Sequence, residues 1–557
     1  MNAPDLVSAR ERSVVLIVGF VYGALVCFWT SRNGALGIPR NDDAFYIRTA
    51  FHFAETGHFV PVSSYPTLFG QVLISYPVIR IFGESISALQ ILALVIGVLG
   101  LCSLYELFRD SLSQIHSATC VLILGLSPIF ANISMSFMTD IPAFSFQVFS
   151  LLLISKFYSS HKHNILYYCA ASIMAFIAFS IRQTGITAVV TVIVIGVLEN
   201  RRIGRLKLNV LVFSQVALLG SVVVFYFWRS RSPLYSSYPI DWKQFTNPFT
   251  FFADSVSTMG MTYGLYLMPI ILLINPRKFL LKRTRSTVVG ESALVFLLMF
   301  TFFILRPKPI GNYFSRFVAY GATVNAETYD VLSGREWQLL QIIGLVTTLV
   351  FCVVLARWSM QAVKDRTIGA SSDPVIIVAM LTSIGFMALA FRGGGFDRYG
   401  LMLIPLLPAA LIRFASELGI LRNRIKLGVI AGLLLIGAFG LRSFDSSTVF
   451  DGAKWAIAKQ EVDFGTSPLN IDGGYEWFAY HQTNFATTEI DKFYLWFKYN
   501  ESPEKMTPNE TELLKGICFV TRINNPTLKD QKIRELDKTG LFGWKVHLEL
   551  QKKWECR

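Results

Sequence analysis

Asp42 and Asp43 stand side by side just after the first strongly apolar stretch, in the run Asn41-Asp42-Asp43-Ala44-Phe45-Tyr46. Adjacent carboxylates at a membrane edge are costly to leave dry, and they are useful where a reaction needs a base. Helix capping is the competing use, because Asp accepts well from the first backbone N–H groups of a helix. Other charged groups recur at the ends of later apolar stretches. Asp140 lies in Met138-Thr139-Asp140-Ile141-Pro142, which is also a good helix start, with Asp as N-cap and Pro in the first turn. Arg182 lies in Ile181-Arg182-Gln183-Thr184-Gly185, where it either snorkels to the interface or holds an anion. In Arg392-Gly393-Gly394-Gly395-Phe396-Asp397-Arg398-Tyr399, two arginines flank three glycines. The guanidinium fork suits a phosphate, and glycine permits close backbone approach.

Carboxylates and arginines on one membrane face suit transfer of a sugar from a lipid phosphate. The phosphate is already a good leaving group, so the reaction needs no strong general acid. The acceptor hydroxyl does need a base, which an Asp can supply, and Arg can neutralise the departing phosphate. Ordinary glycoside hydrolysis would instead require two separated carboxyl groups. His52, His58, His161 and His163 form no convincing ligand set, so no metal site is assigned. A divalent cation held by the outer carboxylates stays open, and no other cofactor is implied.

These residues must be positioned by a membrane scaffold. Of the 557 residues, 53% are hydrophobic and 16% charged, with a mean hydropathy of +0.48; a soluble chain carries about 25% charged residues. The net charge of +14 fits Lys and Arg flanking membrane spans and meeting anionic lipid. No aromatic–basic motif points to nucleic acid. Arg10 and Arg12 precede an apolar run from Val14 to Thr30 with no small-residue cleavage site behind it, which predicts a retained first span.

Stretches long enough to cross a bilayer predict about thirteen spans, near 14–30, 87–107, 117–133, 141–156, 165–181, 184–199, 208–228, 258–275, 289–305, 337–357, 374–391, 399–416 and 426–441. With the N-terminus cytoplasmic, the clusters at Arg201-Arg202, Arg277-Lys278 and Arg422 to Lys426 fall inside, as the positive-inside rule requires. Asp42, Asp140, Arg182 and Arg398 then share the outer side, as does the tail 442–557. Long outer loops fall at 31–86, 229–257 and 306–336. In the first, Ile47, Ala50, Phe51 and Ala54 follow helical spacing up to Gly57, predicting an amphipathic helix in the interface with Asn41 or Asp42 at its N-cap.

The tail holds short β-type runs at Leu469-Asn470-Ile471, Ile517 to Ile523 and Trp544 to Leu550, separated by polar helical stretches, which predicts a small α/β domain. Its Asp472-Gly473-Gly474-Tyr475-Glu476-Trp477 run is either a sugar-binding surface or a turn after a strand. Cys518 and Cys556 could pair there in an oxidising compartment. The chain thus divides at 441/442 into a membrane domain, 1–441, and an extracytoplasmic α/β domain.

The acidic motif with Tyr46, the Met138-to-Pro142 motif, and Arg398-Tyr399-Gly400-Leu401-Met402-Leu403-Ile404-Pro405 occur in an order that resembles the GT-C superfamily of membrane glycosyltransferases. Within it, the chain is most similar to the protein mannosyltransferase and aminoarabinose transferase group, glycosyltransferase families 39 and 83. The resemblance spans roughly 14–441. It implies a GT-C-like fold, a polyprenyl-phosphate-sugar donor, a hydroxyl acceptor, and a hexosyl- or pentosyltransferase of the bacterial plasma membrane. It also implies Asp42 as base with Asp43 and Asp140 assisting, and donor phosphate binding by Arg182, Arg392, Arg398 and Tyr399. Many relatives carry a Lys-Pro pair in the first loop; here the stretch is Ser63-Ser64-Tyr65-Pro66-Thr67, so phosphate binding falls to the arginines or a metal. A transporter or flippase is the main rival, and a scaffold with a sensor tail is a second. Convergence of Asp42, Asp140 and Arg398 on one outward cavity would favour the enzyme, and a midplane cavity would favour transport.

Overall fold

The structure is a computed structural model that describes residues 9–61, 67–160, 164–199, 205–231, 248–281, 313–316, 331–364, 374–392, 396–422, 427–481, 507–508, 517–523 and 531–553. The first helices are α1 (Ala9–Arg32), α2 (Asp43–Thr56), α3 (Phe69–Phe82), α4 (Ile86–Arg109), α5 (Gln114–Gly125), α6 (Pro128–Ser134), α7 (Asp140–Ser159), α8 (Ile165–Ile181) and α9 (Ile186–Glu199). Among the described residues, seven helices are long and apolar enough to cross a bilayer, and the bent pair α5–α6 makes an eighth if counted as one span. Shorter apolar helices include α3, α8, and most of 183–199 and 374–390. Val14, Ile17, Val18, Leu25 and Phe28 of α1 stay exposed, as do Phe213, Val216, Val224 and Phe227 of the helix Arg205–Ser230. Apolar surface on that scale is unfavourable in water and suited to lipid. The chain is a multi-pass membrane protein.

The seven candidate spans lie close to seven of the thirteen sequence-predicted positions, and the others show informative differences. The span expected at 117–133 is bent by 65°. Ser127 caps the second half through its hydroxyl, which accepts from Phe130 N, and Pro128 cannot continue the ladder of the first half. The span expected at 258–275 breaks at the 3-10 turn Gly264–Leu267 and Pro269. The span expected at 289–305 lies outside the described residues. Helix α3, within the loop expected at 31–86, was not foreseen; its Pro77 and short length kept it below the span criterion. The helix Leu427–Asp463 runs unbroken through the expected domain boundary at 441/442.

The tail forms β1 (Ile471–Asp472), β2 (Phe519–Ile523), β3 (Gln531–Thr539) and β4 (Lys545–Lys552) in the order β1-β2-β4-β3. β1 pairs parallel with β2, and the other pairs are antiparallel. β3 was not read from sequence; its run Gln531-Lys532-Ile533-Arg534-Glu535 is mostly charged because its outer side is wet. Val546, Leu548 and Leu550 alternate into the core from β4. Asp445 docks the sheet on the membrane helices. Its carboxylate accepts from Trp29 Nε1 (2.8 Å), Asn33 Nδ2 (2.9 Å), Leu541 N (3.0 Å) and Phe542 N (3.1 Å). Cys518 is disulfide-bonded, and Cys556 lies outside the described residues.

The helix ends alternate consistently. Glu11 and Arg12 of α1 meet Arg109 and Glu106 of α4, and Lys156 of α7 joins them at one end of the bundle. The opposite end gathers the C-terminus of α1, the N-termini of α4 and α7, and the C-terminus of α8. Asp42, Asp140 and Arg182 therefore share one end.

Candidate active site

Asn41 sets up the site. Its φ of 63° is left-handed, a conformation Asn tolerates better than most residues. Its Oδ1 accepts from Asp42 N (2.9 Å) and its Nδ2 donates to the Tyr313 hydroxyl (2.9 Å). The chain then enters α2 at Asp42. Asp42 holds the N-cap position, yet its side chain caps nothing and its backbone is already helical. Its carboxylate instead accepts from Arg398 Nη2 (2.7 Å) and from the Tyr475 hydroxyl (2.8 Å). The capping reading therefore fails for Asp42.

Asp43 is fully buried. One carboxylate oxygen accepts from Arg40 N and the other from Phe137 N (3.0 Å), so it clamps the loop after α1 to the turn before α7. Burial pushes its carboxyl well above the usual range, against the pull of those two N–H groups and Arg40. Both of its oxygens are thus committed to backbone N–H groups.

Asp140 occupies the first turn of α7, one residue past the N-cap position, which Thr139 fills. The expected Asp cap is thus displaced by one. Asp140 Oδ2 pairs with Arg182 Nη1 (3.1 Å), Oδ1 lies 3.8 Å from Arg398 Nε, and the Thr139 hydroxyl also accepts from Arg182. Arg182 follows the end of α8, its backbone N bonded to Ala178 O. Tyr399 lies between the cations, its ring 4.7 Å from the Arg182 guanidinium and 5.8 Å from that of Arg398. Arg392 ends the helix Pro374–Arg392, and its side chain, like the three glycines after it, lies outside the described residues.

The result is a row of alternating charges, Asp42–Arg398–Asp140–Arg182, almost entirely dry. The side chains of Arg398 and Asp140 are each 2% exposed and that of Asp42 is 22% exposed, which makes Asp42 the open end. Among the described residues, Arg398 Nε and Nη1 are buried without a hydrogen-bond acceptor. Unpaired donors on a buried guanidinium are costly unless something fills the gap.

Arg398 is held by a turn that the sequence did not reveal. Asp397 is fully buried and accepts from Tyr313 N (2.8 Å) and Phe314 N, and its carbonyl accepts from the Tyr263 hydroxyl (2.7 Å). Gly400 is required there, because a Cβ would run into the Tyr263 ring. A second buried network supports the other side: Arg40 Nε to Asp451 Oδ2 (2.8 Å), and Lys454 Nζ to Glu476 Oε2 (2.6 Å). Glu476 neighbours Tyr475 on the short helix Tyr475–His481, which follows β1 and a turn where Asp472 Oδ1 accepts from Gly474 N (3.0 Å). The run from Asp472 to Trp477 is therefore a turn after a strand, as one sequence reading had it, and it also delivers Tyr475 to Asp42.

The end of that short helix carries a titrating group. Burial and the nearby Arg48 hold His481 down to about 4. In the unfolded chain the imidazole titrates near 6.5. Above that value both states are neutral and the fold is unaffected. As pH falls from about 6.5 towards 4, only the unfolded state binds the proton, so local stability drops, by at most roughly 3 kcal/mol and less for a ring with partial solvent access. Hydrogen exchange of 475–481, corrected for intrinsic rate, should accelerate between pH 7 and pH 5. Equal protection at both would disprove the linkage.

A divalent cation at the outer acids would compete with the arginines already facing Asp42 and Asp140. Among the described residues, the three-ligand group that could hold one is Glu535, His547 and Glu549 on β3 and β4, where Lys532 pairs with both glutamates.

Residues 72–228 match the family model for dolichyl-phosphate-mannose-protein mannosyltransferase, and this bears out the resemblance carried by the sequence motifs. No curated protein matches. Several solved structures are similar. ArnT from Cupriavidus metallidurans bound to undecaprenyl phosphate is 13% identical, with 98% of each chain covered and a TM-score of 0.39. An oligosaccharyltransferase from Archaeoglobus fulgidus is 13% identical, with 85% of this chain and 58% of that one covered and a TM-score of 0.42. For the S. cerevisiae protein O-mannosyltransferase Pmt1-Pmt2 complex bound to the sugar donor, the identity is 14%, the TM-score 0.30 and the coverage 41% of this chain. This chain spans only 36% of that yeast chain's length. All three likenesses are distant.

Proposed function

We propose that this chain is a glycosyltransferase that moves a sugar from a polyprenyl-phosphate donor to a hydroxyl acceptor at the outer face of a bacterial plasma membrane. The observation that carries this reading is the Asp42–Arg398–Asp140–Arg182 row, with unpaired guanidinium donors on Arg398 and the partly open carboxylate of Asp42 at its end. The donor's phosphodiester brings one negative charge to Arg398, and Arg182 adds a second cation close by. That contact relaxes the Arg398 hold on Asp42. Asp42 then takes the proton from the acceptor hydroxyl as its oxygen bonds to the sugar's anomeric carbon. The bond from that carbon to the phosphate oxygen breaks, and Arg398 meets the charge that grows on the leaving phosphate. Asp140 keeps both arginines aligned. The N-terminus lies in the cytoplasm and the tail sheet outside.

The acids sit at one end of the bundle rather than midway along it, which favours transfer over transport. Purified full-length protein in lipid, given radiolabelled sugars on synthetic polyprenyl phosphates, tests the reading. Turnover of a donor that is lost in Asp42→Asn supports it; no turnover or binding across a broad donor panel shifts the weight to the transporter.

Tyr475 donates to Asp42 Oδ1 and fixes its rotamer. Tyr475→Phe removes one hydrogen bond to a charged group, a change of about 1.5–3 kcal/mol, so kcat should fall roughly ten- to a hundredfold with donor KM little changed. A pure loss of stability would instead leave the kcat of the folded fraction intact.

A further inference from the structure

The short helix that brings Tyr475 to Asp42 has a second side, where Tyr480 and His481 are half-buried. Beyond it lies a cavity of about 490 Å³ lined by Trp455, Trp477, Tyr480, His481, Lys459 and Lys538, with Asp463 at its rim. The volume falls within the range of small-molecule sites. Trp455 is 8% exposed, and among the described residues its indole N–H is buried without an acceptor. His481 Nε2 is likewise unpaired. The ring stays neutral at pH 7, able to accept or donate a hydrogen bond. Lys459 and Lys538 have no acidic partner among the described residues, and the Lys538 ammonium lies over Gly34, where a Cβ would displace it. The two ammonium groups outnumber the one carboxylate.

We propose that this cavity binds an acidic saccharide, the acceptor glycan or a segment of it. The half-buried rings of Tyr480 and His481 take the C–H side of a pyranose, with Trp455 and Trp477 packed beneath them. Lys459 and Lys538 meet a carboxylate or phosphate on the same glycan. Tyr475 and His481 are six residues apart, about 9 Å along a helix axis, so a bound chain can continue from the cavity to Asp42. A purely apolar ligand would leave the two lysines unsatisfied. The acceptor role rests on the transferase reading; the binding itself does not.

The test uses the full chain in phosphatidylcholine nanodiscs, where no anionic headgroup competes, and titrates three probes by calorimetry: a galacturonic acid hexasaccharide, neutral maltohexaose and inorganic phosphate. The acidic oligosaccharide should bind at least about tenfold more tightly than either of the others. Lys459→Glu should weaken it about tenfold or more, and Tyr480→Ala, which removes a half-buried ring face, several-fold. Binding should persist in Asp42→Asn, so a failed transferase reading and a failed pocket are told apart. The proposal is overturned if neither oligosaccharide binds, if phosphate alone matches the acidic one, or if both pocket variants bind it as the parent does.

Discussion

Asp42→Asn is expected to lower sugar transfer by between about a hundredfold and ten-thousandfold, the span usually lost with a positioned general base. The amide keeps one oxygen to accept from Tyr475, so the side chain should stay in place. Its NH₂ group then faces Arg398 Nη2, where the parent has a 2.7 Å charge-assisted bond. Two donors cannot share that contact, and Arg398 loses its nearest anion. Arg398 is released towards an incoming phosphate, so donor affinity should hold or rise while kcat collapses. This pairing of a kcat loss with an undiminished donor Kd separates a lost base from a misfolded site. Single-turnover transfer and equilibrium binding of a polyprenyl phosphate, measured on the same preparation, check both halves. Full kcat in the variant would remove Asp42 as the base. Asp43→Asn should behave differently, loosening the fold without that kcat-only signature, because Asp43 meets backbone N–H groups at both oxygens.

The membrane character, the positions of the seven candidate spans, and the sharing of one end of the bundle by Asp42, Asp140, Arg182 and Arg398 were legible in the chain, because hydropathy is a local signal. The acid pair looked uniform in sequence, yet it splits into an open carboxylate and a buried clamp. That split depends on where Phe137 N and Tyr475 lie, which no local pattern records. Asp140 and Asp42 were both read as candidate caps; neither caps, because arginines arriving from other helices outbid the helix N-terminus. Tyr475 was visible only as part of a turn, since its target is 433 residues away. The domain boundary was drawn where hydropathy drops, but a helix need not end there, and Leu427–Asp463 runs through it. α3 and β3 were missed for opposite reasons: one is apolar but short and proline-bearing, the other regular but charged on its wet side.

Arg398 carries the second large effect. Its guanidinium is 2% exposed, touches Asp42, lies 3.8 Å from Asp140, and has donors to spare. Truncating one partner of a buried charge contact costs about 2–5 kcal/mol, so Arg398→Ala should weaken binding of a polyprenyl phosphate between roughly thirtyfold and several thousandfold. It should also destabilise the protein, because Asp42 and Asp140 are left with Arg182 alone. Arg398→Lys separates the two effects. The ammonium keeps the charge that Asp42 and Asp140 need, but not the planar fork, so stability should largely return while affinity for the phosphate recovers only in part. Asp42 supplies the complementary control. If Arg398 is divided between the carboxylate and the phosphate, Asp42→Asn should tighten phosphate binding in the Arg398 parent and leave it unchanged in Arg398→Ala. Independent effects of the two substitutions would mean that the phosphate lies elsewhere, with Arg182 the nearest remaining cation, and that the Asp42–Arg398 pair serves only the fold.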